Sequence, residues 1–293
     1  MDESELLKLI EKRSREIELS GSELLVGPGD DAAVVRTPGG DVLLMTVDQL
    51  VETRHFSPGI GIDLIARKAI ARSVSDIAAM GGVPVWSMVT GLLPAGFDRG
   101  DELFSAMSRW ANHWGCPLIG GDIAAGPGPL SLTVTICGRM DPGTKPILRS
   151  GARIGDQLWL TGPIGGSFDS GRHLTFEPRL DMGRRAADCE RVHAMIDISD
   201  GLGRDAGRVG RGSGVTLEID ADKLPLNAGV ADWQQALGQG EDHELLIVGQ
   251  NLNREMPELL GPIGIVREDA GCGAVVVDRE GGTHVADELG WSH

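Results

Sequence analysis

Apolar and polar positions follow two rhythms along this chain, and glycines mark where one gives way to the other. Over residues 62–80, Ile62, Ile65, Ala66, Ala69, Ile77 and Met80 recur at helical spacing, and Gly81-Gly82 supplies a stop. This spacing predicts a long amphipathic helix. Similar patterns predict a surface helix over 4–17, a second long helix over 98–114, and helices over 182–193 and 252–260. Short apolar runs between Gly, Pro and Asp predict strands over 83–93, 117–119, 157–161, 195–198, 215–219, 244–248, 263–266 and 274–277. The run 42–47 is almost wholly apolar, as in a strand buried on both faces, and is expected to end at Asp48. Residues 130–137 alternate apolar side chains with Ser and Thr, as a half-buried strand does.

Strands and helices alternate here without a strict strand-helix-strand rhythm. The expected class is therefore α/β built as α+β layers, with mixed sheets flanked by helices. The polar, turn-forming run 141–146 is the expected boundary between domains of residues 1–140 and 141–293.

Composition narrows the chemistry. With 27 Lys and Arg against 43 Asp and Glu, the net charge of -16 disfavours a nucleic-acid partner. An acidic protein that handles phosphate esters needs cations between the two. Cys116, Cys137, Cys189 and Cys272 are too far apart for a short metal-binding or redox pair. The acidic opening Met1-Asp2-Glu3-Ser4-Glu5 is unlike a secretory signal, and no window is apolar enough to cross a membrane. The expected location is the cytoplasm, away from membranes.

Carboxylates collect at the ends of the expected elements. Gly27-Pro28-Gly29-Asp30-Asp31 precedes an apolar strand, Asp48 follows one, and Gly120-Gly121-Asp122 lies at a third such junction. In Met195-Ile196-Asp197-Ile198-Ser199-Asp200-Gly201, Asp197 and Ser199 share a face, while Ser199 or Asp200 is expected to cap the helix that follows. A helix N-terminus of this kind also suits a phosphate. Asp76 stands one helical turn after Arg72, where a plain ion pair is an equally simple use. Likewise, Gly240-Glu241-Asp242-His243-Glu244 reads equally well as a solvated turn. Phosphate-binding glycine loops of the common kinds and nucleophile elbows are missing. Oxygen-only donors at Asp31, Asp48, Asp76, Asp122, Asp197 and Asp200 suit Mg²⁺ shared with substrate phosphates.

In order along the chain, Gly29-Asp30-Asp31-Ala32-Ala33-Val34, Thr46-Val47-Asp48-Gln49-Leu50-Val51 with His55-Phe56, Ser75-Asp76-Ile77-Ala78-Ala79-Met80-Gly81 and Gly120-Gly121-Asp122 form a series of motifs. Leu148-Arg149-Ser150-Gly151-Ala152, Ile196-Asp197-Ile198-Ser199-Asp200-Gly201-Leu202 and Gly240-Glu241-Asp242 continue it. Together they resemble the thiamine-monophosphate kinase family, of the superfamily that includes aminoimidazole ribonucleotide synthetase and selenophosphate synthetase. The resemblance implies a two-domain fold whose first domain binds metal and ATP and pairs across a homodimer into a β-barrel. The second domain is then expected to complete the ATP and substrate sites. It further implies several Mg²⁺ ions, ATP as co-substrate, and transfer of the γ-phosphoryl to thiamine monophosphate. By motif position, Asp31, Thr46, Asp48, Asp76, Asp122, Asp197 and Asp200 fall where the family binds metal. Gly121, Asp122, Arg149 and Ser199 fall on ATP contacts; His55, one of Glu241 and Asp242, and Trp291 fall on substrate contacts. No protein base is expected, because the attacking phosphate is largely ionised at neutral pH.

The chain departs from the family at several positions. Val47 replaces a second hydroxyl residue, Ile123-Ala124-Ala125 replaces Thr-Thr-Arg, Gly165-Gly166-Ser167 replaces Gly-Asp-Ser, and His243 replaces a Tyr. Two alternatives to thiamine-monophosphate kinase follow: another ATP-dependent enzyme of the superfamily, or a non-catalytic protein that binds Mg-ATP.

Overall fold

The computed structural model describes residues 9–10, 13–14 and 17–291. Leu9, Ile10, Arg13 and Ser14 are helical, Ile17 is not, and the other residues of the helix expected over 4–17 lie outside the described residues. The chain divides into two compact units: residues up to Ile77 with Gly82–Gly143, and Ala78–Gly81 with the residues from Thr144 onward.

The first unit is built on a six-stranded sheet. Its strands are β1 (Glu23–Val26), β2 (Ala33–Arg36), β3 (Val42–Val51), β4 (Val83–Pro94), β5 (Leu118–Gly126) and β6 (Ser131–Arg139), in the order β1-β2-β3-β6-β4-β5. All neighbours are antiparallel except β4 and β5, so the sheet is mixed, and among the described residues it is open. Helix α1 (Ile62–Ala79) runs over nearly the expected range and stops before Gly81, whose φ of 75° suits a residue without a side chain. Helix α2 (Gly100–His113) likewise matches its expectation, burying Leu103, Ala106, Met107 and Ala111.

Strand β3 corrects the expectation in two respects. Its pairing with β6 continues from Leu43↔Arg139 to Val51↔Ser131, so Asp48 is opposite Val134 in mid-strand rather than at an end. Only one of its faces is covered: Leu44 and Leu50 are buried, whereas Val47 is 64% exposed.

The second unit carries a seven-stranded sheet. It contains β7 (Gln157–Leu160), β8 (Val192–Asp197), β9 (Thr216–Asp220), β10 (Leu245–Gly249), β11 (Leu260–Arg267), β12 (Ala274–Val277) and β13 (Thr283–Val285), in the order β13-β12-β9-β11-β7-β10-β8. Helices α3 (Leu180–Ala187), α4 (Leu202–Ser213) and α5 (Trp233–Gly238) accompany it. One core gathers Leu158, Leu160, Ile196, Val209, Leu217 and Leu246, and a second holds Trp159, Met195, Leu245 and Ile247. Alternate residues of β7, β8 and β10 thus enter different cores, so these strands are buried on both faces, β10 along its whole length.

Two helix expectations fail in this unit. The helix expected over 182–193 ends at Ala187, because Val192 and the residues after it pair with β10. That expected over 252–260 shrinks to one 3-10 turn, Leu252–Arg254. Pro257 lacks the N–H a helix needs and biases Met256 away from helical backbone. Among the described residues no helix is long and apolar enough to cross a membrane.

Gly121 is fixed by sterics. It pairs with Val89 of the parallel neighbour β4, and a Cβ placed on it would lie 1.8 Å from the Val89 carbonyl oxygen. At Gly120 the nearest heavy atom would be the Met88 methyl at 4.0 Å. Gly121→Ala is therefore expected to destabilise by about 2 kcal/mol or more, as overpacking against backbone does. Gly120→Ala should stay within about 0.5 kcal/mol of the parent. Urea unfolding of the two variants checks the contrast.

Candidate active site

In the first unit the site starts at the turn before β2. Gly29 has φ 123°, and the Asp30 carboxylate accepts the Asp31 N–H at 3.0 Å. Asp30 thus shapes the turn, and Asp31 is left buried beside it. Thr46 and Asp48, two residues apart on β3, share a face. Both meet α1. The Thr46 hydroxyl donates to Asp76, and the Ser73 hydroxyl donates to Asp48 at 3.0 Å. The Arg72 guanidinium lies 3.8 Å from Asp48 and donates to the Gln49 carbonyl at 3.2 Å. Three of the expected metal-binding residues, Thr46, Asp48 and Asp76, are therefore brought together by one strand and one helix, and every donor atom they offer is oxygen.

His55 is wound into the turn after β3. Its Nδ1 accepts the Val51 N–H at 2.9 Å, which places the proton of a neutral ring on Nε2. The ammonium of the fully buried Lys68 donates to the His55 carbonyl at 2.5 Å. Gly121 and Asp122 stand apart from these groups, exposed on the edge strand β5. They border a cavity of about 600 Å³ whose other walls include Val89, Leu103, Phe104 and Met107. Ile123, Ala124 and Ala125 continue the same exposed strand.

In the second unit β8 delivers Asp197 at its last residue, deeply buried. His243 bridges it to the second expected motif, with Nδ1 3.1 Å from Asp197 and Nε2 3.2 Å from Glu241. Burial acts to lower the His243 pKa, but the bonds to both carboxylates hold it above its ordinary value. Phe176 stacks on the ring, with centroids 4.1 Å apart. Glu241 and His243 adopt positive φ, 66° and 51°, and their N–H groups donate to the carbonyls of Ser199 and Ile198 at 2.7 and 2.8 Å. The run 240–244 is accordingly a buried bracket and not a solvated turn.

The structure separates Glu241 from Asp242. Asp242 is fully buried, accepts the Gly165 N–H at 2.9 Å and pairs with Arg172. Burial pushes its pKa up to about 6, against the opposing effects of Gly165 and Arg172. Gly166 donates to Gln239 at 2.6 Å, and Ser167 donates to the Glu241 carbonyl at 2.6 Å. The Gly165-Gly166-Ser167 loop is thereby spent on the bracket. Glu244 accepts from Arg179 Nε at 2.7 Å and Nη2 at 2.6 Å and from the Thr161 hydroxyl at 2.6 Å.

The expected capping by Ser199 or Asp200 is corrected. Gly201 occupies the cap position of α4, and the Asp205 carboxylate, from inside the helix, accepts the N–H groups of Asp200 at 3.0 Å and Gly201 at 3.2 Å. Burial pushes the Asp205 pKa up to about 7, with Arg208 pulling the other way. Arg208 joins Asp205 to the Asp200 carboxylate. Trp291 donates its N–H to the Asp200 carbonyl at 2.8 Å, and its own carbonyl accepts from Arg204 at 2.6 Å. Arg149 is half-buried and acts electrostatically on Asp205. Sequence reasoning missed Phe104, Asp205, Arg208, Arg172 and Arg179. The first-turn position of Asp205 and its three-residue spacing to Arg208 were the readable signal.

Known proteins place the chain. Residues 29–140 match the family described as AIR synthase related protein, N-terminal domain. The thiamine-monophosphate kinase of Rhodopirellula baltica is 34% identical over 83% of this chain and 81% of its own length. That of Bacillus subtilis is 30% identical over 100% of this chain and 99% of its own. A solved structure of AaThiL complexed with AMPPCP and TMP has a TM-score of 0.83 and 27% identity, covering 100% of this chain and 97% of that one. This chain, a phosphotransferase by that kinship, belongs to the thiamine-monophosphate kinase family.

Proposed function

We propose that the protein uses ATP and Mg²⁺ to phosphorylate thiamine monophosphate to thiamine diphosphate by direct in-line transfer. The observation that carries this reading is the full-length likeness to a kinase complexed with AMPPCP and TMP. In the reaction a phosphate oxygen of thiamine monophosphate attacks the γ-phosphorus of ATP, and the bond to the bridging oxygen breaks as ADP leaves. The nucleophile carries its own negative charge, with a second pKa near ~6, so no side chain has to remove a proton. Asp31, Thr46, Asp48 and Asp76, and in the second unit Asp197 and Asp200, supply the oxygen donors that fit Mg²⁺. When bound, Mg²⁺ would offset the repulsion between the two polyanions.

The remaining residues have roles in binding. The cavity bordered by Gly121 and Asp122 suits the adenine ring, with Phe104 as an apolar aromatic wall. Arg149 and Ser199 suit phosphate oxygens, and Asp122 suits a metal held by them. His55, Glu241 and Trp291 are proposed to contact thiamine monophosphate. A homodimer with a paired β-barrel is supported by the open sheet face: Val47, Thr135 and Met88 form one cross-strand row, and Val47 and Met88 are 64% and 42% exposed.

Purified protein with ATP, Mg²⁺ and thiamine monophosphate is expected to make thiamine diphosphate, and EDTA should stop it. Absence of product beside an active kinase control would end the reading. Asp48→Asn and Asp197→Asn should each lower kcat by roughly a hundredfold or more, consistent with loss of charge stabilisation at the transferred group. Their melting temperatures without ATP should change little, because Asn keeps an oxygen that can accept from Ser73 and from His243; a large fall would instead make these carboxylates structural. Phe104→Ala should raise the KM for ATP by about tenfold, the scale of an aromatic contact, and leave that for thiamine monophosphate unchanged. Steady-state kinetics with each substrate varied in turn measures the difference.

A further inference from the structure

Asp200 is held at every polar group it has. Its N–H donates to Asp205 at 3.0 Å, its carbonyl accepts from Trp291 at 2.8 Å, and its carboxylate takes the Arg208 guanidinium. The two residues that act on its N–H and its carboxylate are themselves joined, because Arg208 Nη1 lies 2.6 Å from Asp205 Oδ1. This closes a ring from the Asp200 backbone through Asp205 and Arg208 to the Asp200 side chain. Asp205 is fully buried and Arg208 reaches it from the next turn of α4, so both ends of the ring are anchored on one rigid helix.

We propose that Asp205 and Arg208 are positioning residues for the Asp200 carboxylate as a donor to a divalent cation. The inference rests on the function reading only in assigning Asp200 to metal. A helix N-terminus has bare N–H groups, and a Ser or Asp placed just before it ordinarily satisfies them. Here the cap position is held by Gly201, which has no side chain to offer, and Asp205 instead reaches back from the first turn to the N–H groups of Asp200 and Gly201, so that neither Ser199 nor Asp200 stands at the cap. Arg208 then sets the orientation of the Asp200 carboxylate through a forked guanidinium that has little freedom once both its terminal nitrogens are engaged. Partners that orient a metal ligand in this way typically alter metal affinity or activity by about 10–100-fold when removed. The same ring reaches the aromatic residue, because the carbonyl that Trp291 bonds belongs to the peptide whose N–H group is supplied by the next residue, Gly201, also held by Asp205 at 3.2 Å.

The test is a double-mutant cycle read by Mn²⁺ binding, with electron paramagnetic resonance of free Mn²⁺ as the signal and no thiamine monophosphate present. Asp205→Asn is expected to weaken Mn²⁺ binding by about tenfold or more, in a protein that still melts cooperatively. In the Asp200→Asn background, Asp205→Asn should add almost nothing, because its effect passes through Asp200. Arg208→Gln should behave like Asp205→Asn, and Arg208→Lys should recover part of the loss. If Asp205→Asn does not fold, the Arg208 pair in the two backgrounds decides the same question. Unchanged Mn²⁺ binding in the folded variants, full additivity with Asp200→Asn, or a wild type that binds no Mn²⁺ would each overturn the proposal. A wild type that binds Mn²⁺ and passes the cycle but makes no thiamine diphosphate would remove the function reading and leave this inference standing.

Discussion

A carboxylate taken out of water must be given a donor, and this constraint organises the functional parts of both units. Asp48 has Ser73 and Arg72, and Asp76 has Thr46. In the second unit Asp197 has His243, Asp242 has Gly165 and Arg172, Glu244 has Arg179, and Asp205 has two backbone N–H groups and Arg208. An uncompensated buried carboxylate costs several kcal/mol in a protein interior, so each of these donors stabilises the fold as well as aiming an oxygen. The net charge of -16 sharpens the point. Carboxylates gathered at this density repel one another, and the arrangement is useful where cations complete it.

The carboxylates divide into two kinds. Asp242, Glu244 and Asp205 are engaged with guanidinium groups, backbone N–H groups or a hydroxyl on the protein itself, and their work is to hold loops in place. Asp48, Asp76, Asp197 and Asp200 are bonded to a serine, a threonine, a histidine and an arginine side chain respectively, and these are the oxygens proposed to face a ligand. The bracket 240–244 illustrates the division, since adjacent residues face different tasks: Asp242 pins the glycine loop, while Glu241 is tied through His243 to Asp197. Such a bracket also accounts for two non-glycine residues in left-handed backbone, because their N–H groups are paired with Ile198 and Ser199.

Much of this was legible in the chain. The helical spacing before Gly81-Gly82, the alternation around residues 130–137 and the strand that follows Asp30-Asp31 all appear in the structure close to where they were expected. Local pattern failed where long-range pairing decided the outcome. Residues 192–193 carry apolar spacing compatible with a helix but join β10, and Asp48 reads as a strand end although the ladder to β6 runs past it. Pro257 was a readable stop that the apolar spacing around it obscured. Similarly, Asp232 announced α5, where its carboxylate accepts the Gln235 N–H at 2.8 Å. The capping of α4 was the subtler case. Ser199 and Asp200 are the residue types a cap calls for, and only the packed structure shows that Gly201 stands at the cap and that Asp205 reaches back to the N–H groups of Asp200 and Gly201.

Where divalent cations bind decides whether these carboxylates serve the reaction or only the fold. Crystals grown with Mn²⁺ and AMPPCP, with anomalous scattering measured at the manganese edge, locate those ions directly. The prediction is anomalous density against Asp48 and Asp76 in the first unit and against Asp197 and Asp200 in the second. Ions found only on other side chains, with these four carboxylates still bonded to protein donors alone, would contradict it.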